Sequence, residues 1–194
     1  MESNLAYEYE EEQREEIIDG KAVMMASPST NHNLIMGNIY ALFFNYLRGK
    51  RCVPFADNTT VFLTKKERYI PDVMIVCDPD KIRGNGVHGI PDLIVEILSP
   101  STARQDKGHK KDAYEKHGVR EYWIVSPGDQ SIEQYVLEDG RFTLRGVYAR
   151  YPQFMLDDMS EAEKAALVTE FSCTLFDGLT VPLDDVFYRV APGV

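Results

Sequence analysis

Apolar residues change period along this chain, and each change predicts an element. Residues 16–27 read as two short strands around Asp19-Gly20, a two-residue hairpin signal. From Ser29 or Thr30 to about Arg48, Leu34, Ile35, Ile39, Leu42, Phe43, Tyr46 and Leu47 recur at helical spacing but spread round most of the surface. That distribution predicts a core helix covered on more than one side. Strand-like runs follow at 52–56, 59–63, 73–77 and 93–98. A second helix is predicted over about 102–117, started by Ser99-Pro100 or Ser101 and stopped by Gly118. Segments 121–125, 131–137 and 142–148 then read as a meander with turns at Pro127-Gly128 and Asp139-Gly140, and short helices are expected at 161–168 and 183–188. The predicted fold is α/β (α+β mixed), a mixed sheet flanked by helices in one domain over 14–194, preceded by an acidic segment, 1–13.

With 194 residues and 44% hydrophobic content, the chain can bury a core without help from disulfides or a structural metal. Cys52, Cys77 and Cys173 are odd in number, far apart and without a CxxC, which argues against a disulfide framework and a zinc knuckle. The N-terminus is acidic where a secretory signal needs positive charge, and no apolar run reaches the length of a bilayer span. The expectation is a soluble, cytoplasmic protein. Its net charge of −10 speaks against nucleic acid when taken whole. Divided along the chain, it is −7 over 1–20, +3 over 21–150 and −6 over 151–194. The middle of the chain therefore escapes that argument.

Gly84-Asn85-Gly86-Val87-His88-Gly89 matches the glycine fingerprint of dinucleotide sites, but the chain continues into another strand instead of opening a helix. It reads as a flexible loop, with His88 a surface histidine. What the loop joins is more informative. If 70–76 and 90–98 pair antiparallel about residue 84, Asp72 faces Glu96, with Cβ atoms about 5 Å apart. Two carboxylates so close repel unless a proton or a cation lies between them, and Mg²⁺ is the natural occupant. Glu96 sits in the apolar run Leu93-Ile-Val-Glu-Ile-Leu98, where an unpartnered charge is expensive. Asp92 lies about 13 Å along the same strand, too far to share the ion. Lys110 and Tyr114 share one face of the following helix, and Asp106 can pair with Lys110 at i, i+4. Lys110 can then hold or deprotonate a water beside a phosphate.

Pro71-Asp72, Pro91-Asp92-Leu-Ile-Val-Glu96-Ile-Leu-Ser99-Pro100-Ser101-Thr102, Asp106-xxx-Lys110-xxx-Tyr114 and Gly118-Val-xxx-Tyr122-Trp123 together resemble the restriction-endonuclease-like family abundant in cyanobacteria, part of the PD-(D/E)xK nuclease superfamily. Glu16-Ile-Ile-Asp19-Gly20 and Ser27-Pro28 to His32 fit its N-terminal pattern. The resemblance implies a divalent metal (Mg²⁺ or Mn²⁺) held by Asp72, Glu96 and the backbone carbonyl of Ile97. It implies Lys110 in the lysine role, Glu16 as an upstream acid, and His32 and Tyr114 lining the site. The superfamily's lysine two residues after the glutamate is Leu98 here, so the charge must come from the helix. The implied activity is Mg²⁺-dependent hydrolysis of DNA phosphodiester bonds, with a homodimer as the superfamily expectation. The alternative is a catalytically weak or inactive nuclease-fold module that binds a protein or nucleic-acid partner.

Overall fold

A computed structural model describes residues 14–25 and 27–191; the predicted acidic segment 1–13 lies outside the described residues. The strands in chain order are β1 (Glu15–Ile18), β2 (Lys21–Met24), β3 (Val53–Ala56), β4 (Val61–Thr64), β5 (Glu67–Tyr69), β6 (Val73–Val76), β7 (Ile82–Arg83), β8 (Gly86–His88), β9 (Leu93–Ile97), β10 (Glu121–Ser126), β11 (Ser131–Glu138), β12 (Arg141–Ala149), β13 (Glu170–Ser172) and β14 (Thr180–Pro182). Helix α1 is Thr30–Leu47. Helix α2 runs without a break through Ala103–Gln105, a π-wound Asp106–Lys110 and Lys111–His117. The last three helices are α3 (Gln153–Asp157), α4 (Glu161–Ala165) and α5 (Leu183–Val186).

Two six-stranded sheets and one small hairpin result, where the sequence predicts a single mixed sheet. The central sheet has the order β12-β11-β10-β9-β6-β3, and within it β9 and β10 are parallel. Its β9 and β6 are fully apolar except for Glu96, as strands covered on both faces must be. The second sheet, β2-β1-β5-β4-β8-β7, joins three short local pairs (β1–β2, β4–β5 and β7–β8) through β1–β5 and β4–β8 pairings that are distant in sequence, so no local pattern announces the whole.

Alternation along the central strands divides the core in two. Val73, Ile75, Leu93, Val95, Trp123 and Val125 point toward α1, β13–β14 and α5. Met74, Val76, Ile94, Tyr122 and Ile124 point toward α2 and the second sheet. Ser29 caps α1 by accepting the His32 N–H, and Ile35, Ile39, Phe43 and Leu47 form its buried row. Phe44 lies exposed on the opposite side, so α1 is covered along one face and its flanks, not all round. Both Asp-Gly pairs make two-residue hairpins with positive φ at both positions: Asp19 and Gly20 between β1 and β2, Asp139 and Gly140 between β11 and β12.

Two expectations are corrected. Cys52 and Cys77 are joined in a disulfide. The β3–β6 ladder pairs Val53 with Val76, which sets the preceding and following cysteines opposite each other; neither their spacing nor their odd number could show this. The segment after Gly84 is not a flexible loop: Gly86–His88 is strand β8, paired with both β7 and β4. His88 is exposed, as expected, and stacks on Phe62. Among the described residues, no helix is long and apolar enough to cross a membrane.

Candidate active site

The register of β6 and β9 matches the pairing predicted from their sequences. Val73 pairs with Val95, Met74 with Ile94 and Ile75 with Leu93, so one step further Asp72 meets Glu96. The chain between the two strands is no simple loop, since it carries a one-turn 3₁₀ segment, β7 and β8. Asp72 Oδ2 accepts the Ile97 N–H at 2.6 Å, and its Oδ1 meets His32 Nε2 at 3.0 Å. His32 stands in the first turn of α1, which lays it over the start of β6. Asp92, the competing carboxylate, accepts the Cys77 N–H at the other end of the ladder.

Helix α2 delivers the basic group. Lys110 Nζ lies 3.2 Å from Glu96 Oε1, 3.0 Å from Glu16 Oε1 and 3.5 Å from Asp106 Oδ1. Tyr114 donates its hydroxyl to the same Glu96 oxygen at 2.7 Å. Asp106, Lys110 and Tyr114 recur every four residues, yet four residues of α-helix overshoot a full turn by about 40°. The wider π turn over Asp106–Lys110 takes up that difference and keeps all three on the inner face. The Tyr122 hydroxyl donates to the Asp106 carbonyl at 3.0 Å within the same turn. Glu16 comes from β1, where it also accepts the Ile70 N–H at 2.9 Å.

Four buried carboxylates thus surround one lysine and one histidine: Glu16, Asp72, Glu96 and Asp106, none more than 9% exposed. Burial, reinforced by the Asp106, Asp72 and Glu16 charges, pushes Glu96 well above the usual carboxylate range despite Lys110. Asp106 is raised by the same cause. Burial alone would depress the Lys110 ammonium, but Glu96, Glu16 and Asp106 outweigh it and hold the group well above its ordinary value. The three carboxylates thus favour the charged form of Lys110. Burial and the Glu96 charge raise the Tyr114 hydroxyl as well, so it stays a donor.

The cleft over this cluster holds about 50 Å³ and is lined by Arg14, His32, Asp72, Glu96, Asp106 and Lys110, among others. That is room for an ion and a water or two. His32 Nδ1 and Asp106 Oδ1 are buried there without a hydrogen-bond partner among the described residues. Among those residues no three His, Cys, Asp or Glu side chains group as a ready metal cage. The surplus of carboxylate oxygens, with Asp106 Oδ1 held by no hydrogen bond and only a 3.5 Å ion pair to Lys110, nonetheless forms a donor set of the hard, anionic kind that suits Mg²⁺ or Mn²⁺.

The structure brings together Glu16, His32, Asp72, Glu96, Ile97, Lys110 and Tyr114, all named from sequence. Asp106, read from sequence only as an i, i+4 partner of Lys110, joins them and makes that pair at 3.5 Å. Arg14 is an addition. It grips Asp57 at 2.6 Å on the rim, and no local pattern pointed to that pair.

Residues 1–168 match the family model described as "Uma2: Putative restriction endonuclease". The chain is 33% identical over 136 residues to the uncharacterized protein slr1290 of Synechocystis sp. (strain ATCC 27184 / PCC 6803 / Kazusa), covering 68% of this chain and 72% of the relative. It is 28% identical over 127 residues to the uncharacterized protein sll1609 of the same organism, covering 63% and 72%. A crystal structure from Anabaena variabilis ATCC 29413, described as "a putative nuclease belonging to DUF820", superposes with a TM-score of 0.65 at 16% identity, covering 93% of each chain. That likeness shows the fold; the family match shows kinship, and the chain belongs to the Uma2 restriction-endonuclease-like family.

Proposed function

We propose that this protein is a divalent-metal-dependent endonuclease that hydrolyses DNA phosphodiester bonds. The observation that carries the reading is a convergence: four buried carboxyl groups meet around one lysine, more acidic oxygens than Lys110 can pair and a surplus that folding alone does not reward. Asp72, Glu96 and the Ile97 carbonyl would hold the ion, which when bound supplies Lewis-acid polarisation of the phosphate and a more acidic water. Ile97 already turns its N–H toward Asp72, and a strand residue presents its N–H and C=O on the same edge. Asp72 is oriented by that N–H and by His32, so its carboxylate enters the site with little freedom left to lose. Lys110 stays protonated and offsets charge developing on the phosphate. Glu16 and Asp106 keep the lysine charged and aimed, and Tyr114 fixes the Glu96 carboxyl from behind.

Calorimetric titration of Mn²⁺ into wild type and Asp72→Ala tests the ion site, and incubation of supercoiled plasmid with Mg²⁺ or Mn²⁺ tests the chemistry. Wild type should bind the ion and nick the plasmid, and Asp72→Ala should do neither. No ion binding by wild type, or nicking that survives both Glu96→Ala and Lys110→Ala, would overturn the reading.

A further inference from the structure

A second cleft adjoins the first, on the far side of Arg14. It holds about 320 Å³ between the loop that follows β3 and the β7–β8 turn, a size at the low end of ligand cavities. Its polar lining is Asn58, Thr59, Thr60, Arg83 and Asn85, over an apolar floor that includes Phe55. No acid lines it, in a chain that carries 31 of them. Arg83 is exposed and has no ion-pair partner among the described residues. The adjacent acid, Asp57, is neutralised by Arg14, whose Nη1 also donates to Asn58 Oδ1 at 3.0 Å. Arg14 and Asp57 line the first cleft and Asn58 lines the second, so the Arg14–Asn58 bond sets the two side by side.

The walls are fixed backbone to backbone. The Val87 N–H donates to the Thr60 carbonyl at 2.8 Å. At Gly86, where φ is +135°, a Cβ would come within 2.3 Å of the same oxygen, so glycine is required for the approach. This gives the Gly84-Asn85-Gly86 sequence a purpose unrelated to dinucleotides: it brings Arg83 and Asn85 over the β3–β4 loop.

From this geometry we propose that the second cleft seats the DNA strand next to the scissile phosphate, an inference that rests on the nuclease reading above. Arg83 supplies a phosphodiester contact; the Asn58 and Asn85 amide oxygens are held by Arg14 and His88, which leaves their N–H groups to donate, while the hydroxyls of Thr59 and Thr60 both donate and accept, as sugar and base edges require. The test is fluorescence anisotropy with a fluorescein-labelled DNA duplex and Ca²⁺ in place of Mg²⁺. Wild type is compared with Arg83→Ala/Asn85→Ala, with Arg83→Glu, and with Arg141→Ala on the distant edge strand β12. The double variant should raise Kd about tenfold and flatten its salt dependence by about one phosphate contact. Arg83→Glu should raise Kd further, and Arg141→Ala should leave it within about twofold. Wild-type affinity in both Arg83 variants would overturn the second cleft while leaving the nuclease reading intact. Duplex binding that needs Arg83, by a protein that leaves plasmid uncut with Mg²⁺ and Mn²⁺, would overturn the cleavage reading and uphold the cleft.

Discussion

The central sheet buries a carboxylate on each of its faces, and the two are treated in opposite ways. Glu121, on the α1 face, is fully buried and accepts from Trp123 Nε1, Gln134 Nε2, and the Thr174 N–H and hydroxyl, with the Cys173 thiol nearby. Every donor is neutral, and together they occupy both oxygens. Glu96, on the α2 face, has Lys110 and Tyr114 on one oxygen and three further carboxylates around it. One network is closed and the other has acceptors to spare. Closure marks a structural role, since Glu121 ties β10, β11 and the segment after β13 together. Surplus marks a site that waits for something from outside.

Several experiments would break or sharpen that contrast. The largest effect should come from Glu96→Gln, which should cut plasmid nicking by about a thousandfold while leaving the denaturation midpoint level with wild type or above it. A drop in midpoint equal to that of Glu121→Gln would erase the distinction. Next, Glu121→Ala should cost about 3–5 kcal/mol in urea denaturation, because it removes the acceptor of the buried Trp123 and Gln134 donors and of both Thr174 donors at once. A loss under about 1 kcal/mol would show that the network closes without its acid. Lys110→Met should destabilise the metal-free protein by about 2–3 kcal/mol, and Mn²⁺ should recover part of that loss by replacing the missing positive charge.

The smallest effect concerns a pair outside both networks. Burial tends to raise Glu67, but its bonds to His117 and Thr64 win and hold it below the usual carboxylate range. A lowered folded-state pKa gives stability that is present above the unfolded value of 4.5 and lost as pH falls through the folded one. His117→Ala should therefore cost about 1 kcal/mol or less at pH 7, given solvent screening. The gap to wild type should close on acidification; one that widened below pH 4.5 would contradict the assignment.

The Glu96 side was legible in the sequence and the Glu121 side was not, for physical reasons. Glu96 interrupts an apolar run, and Asp72 stands at the mirrored position of a pairing that two strands alone define. Lys110 and Tyr114 sit on one helix at a readable spacing. Glu121 opens its strand, where an acid passes for a solvent-facing end, and its partners arrive from positions 123, 134 and 174. The second sheet escaped for the same reason, since β1 pairs with β5 and β4 with β8 across long stretches of chain. Patterns of period two and 3.6 report what a segment does with its own neighbours, and these features depend on distant ones.

The Cys52–Cys77 bond ends the β3–β6 ladder of the central sheet, but the chain it encloses also contains β4 and β5 of the second. Both layers of the molecule are thus threaded on one covalent ring, and Asp72 lies within it. The exposed turn at Lys65-Lys66 is a point where that ring can be cut without releasing either half. Trypsin acting there should leave a single species until a thiol reductant separates it into two fragments, the larger carrying Asp72, Glu96 and Lys110 together.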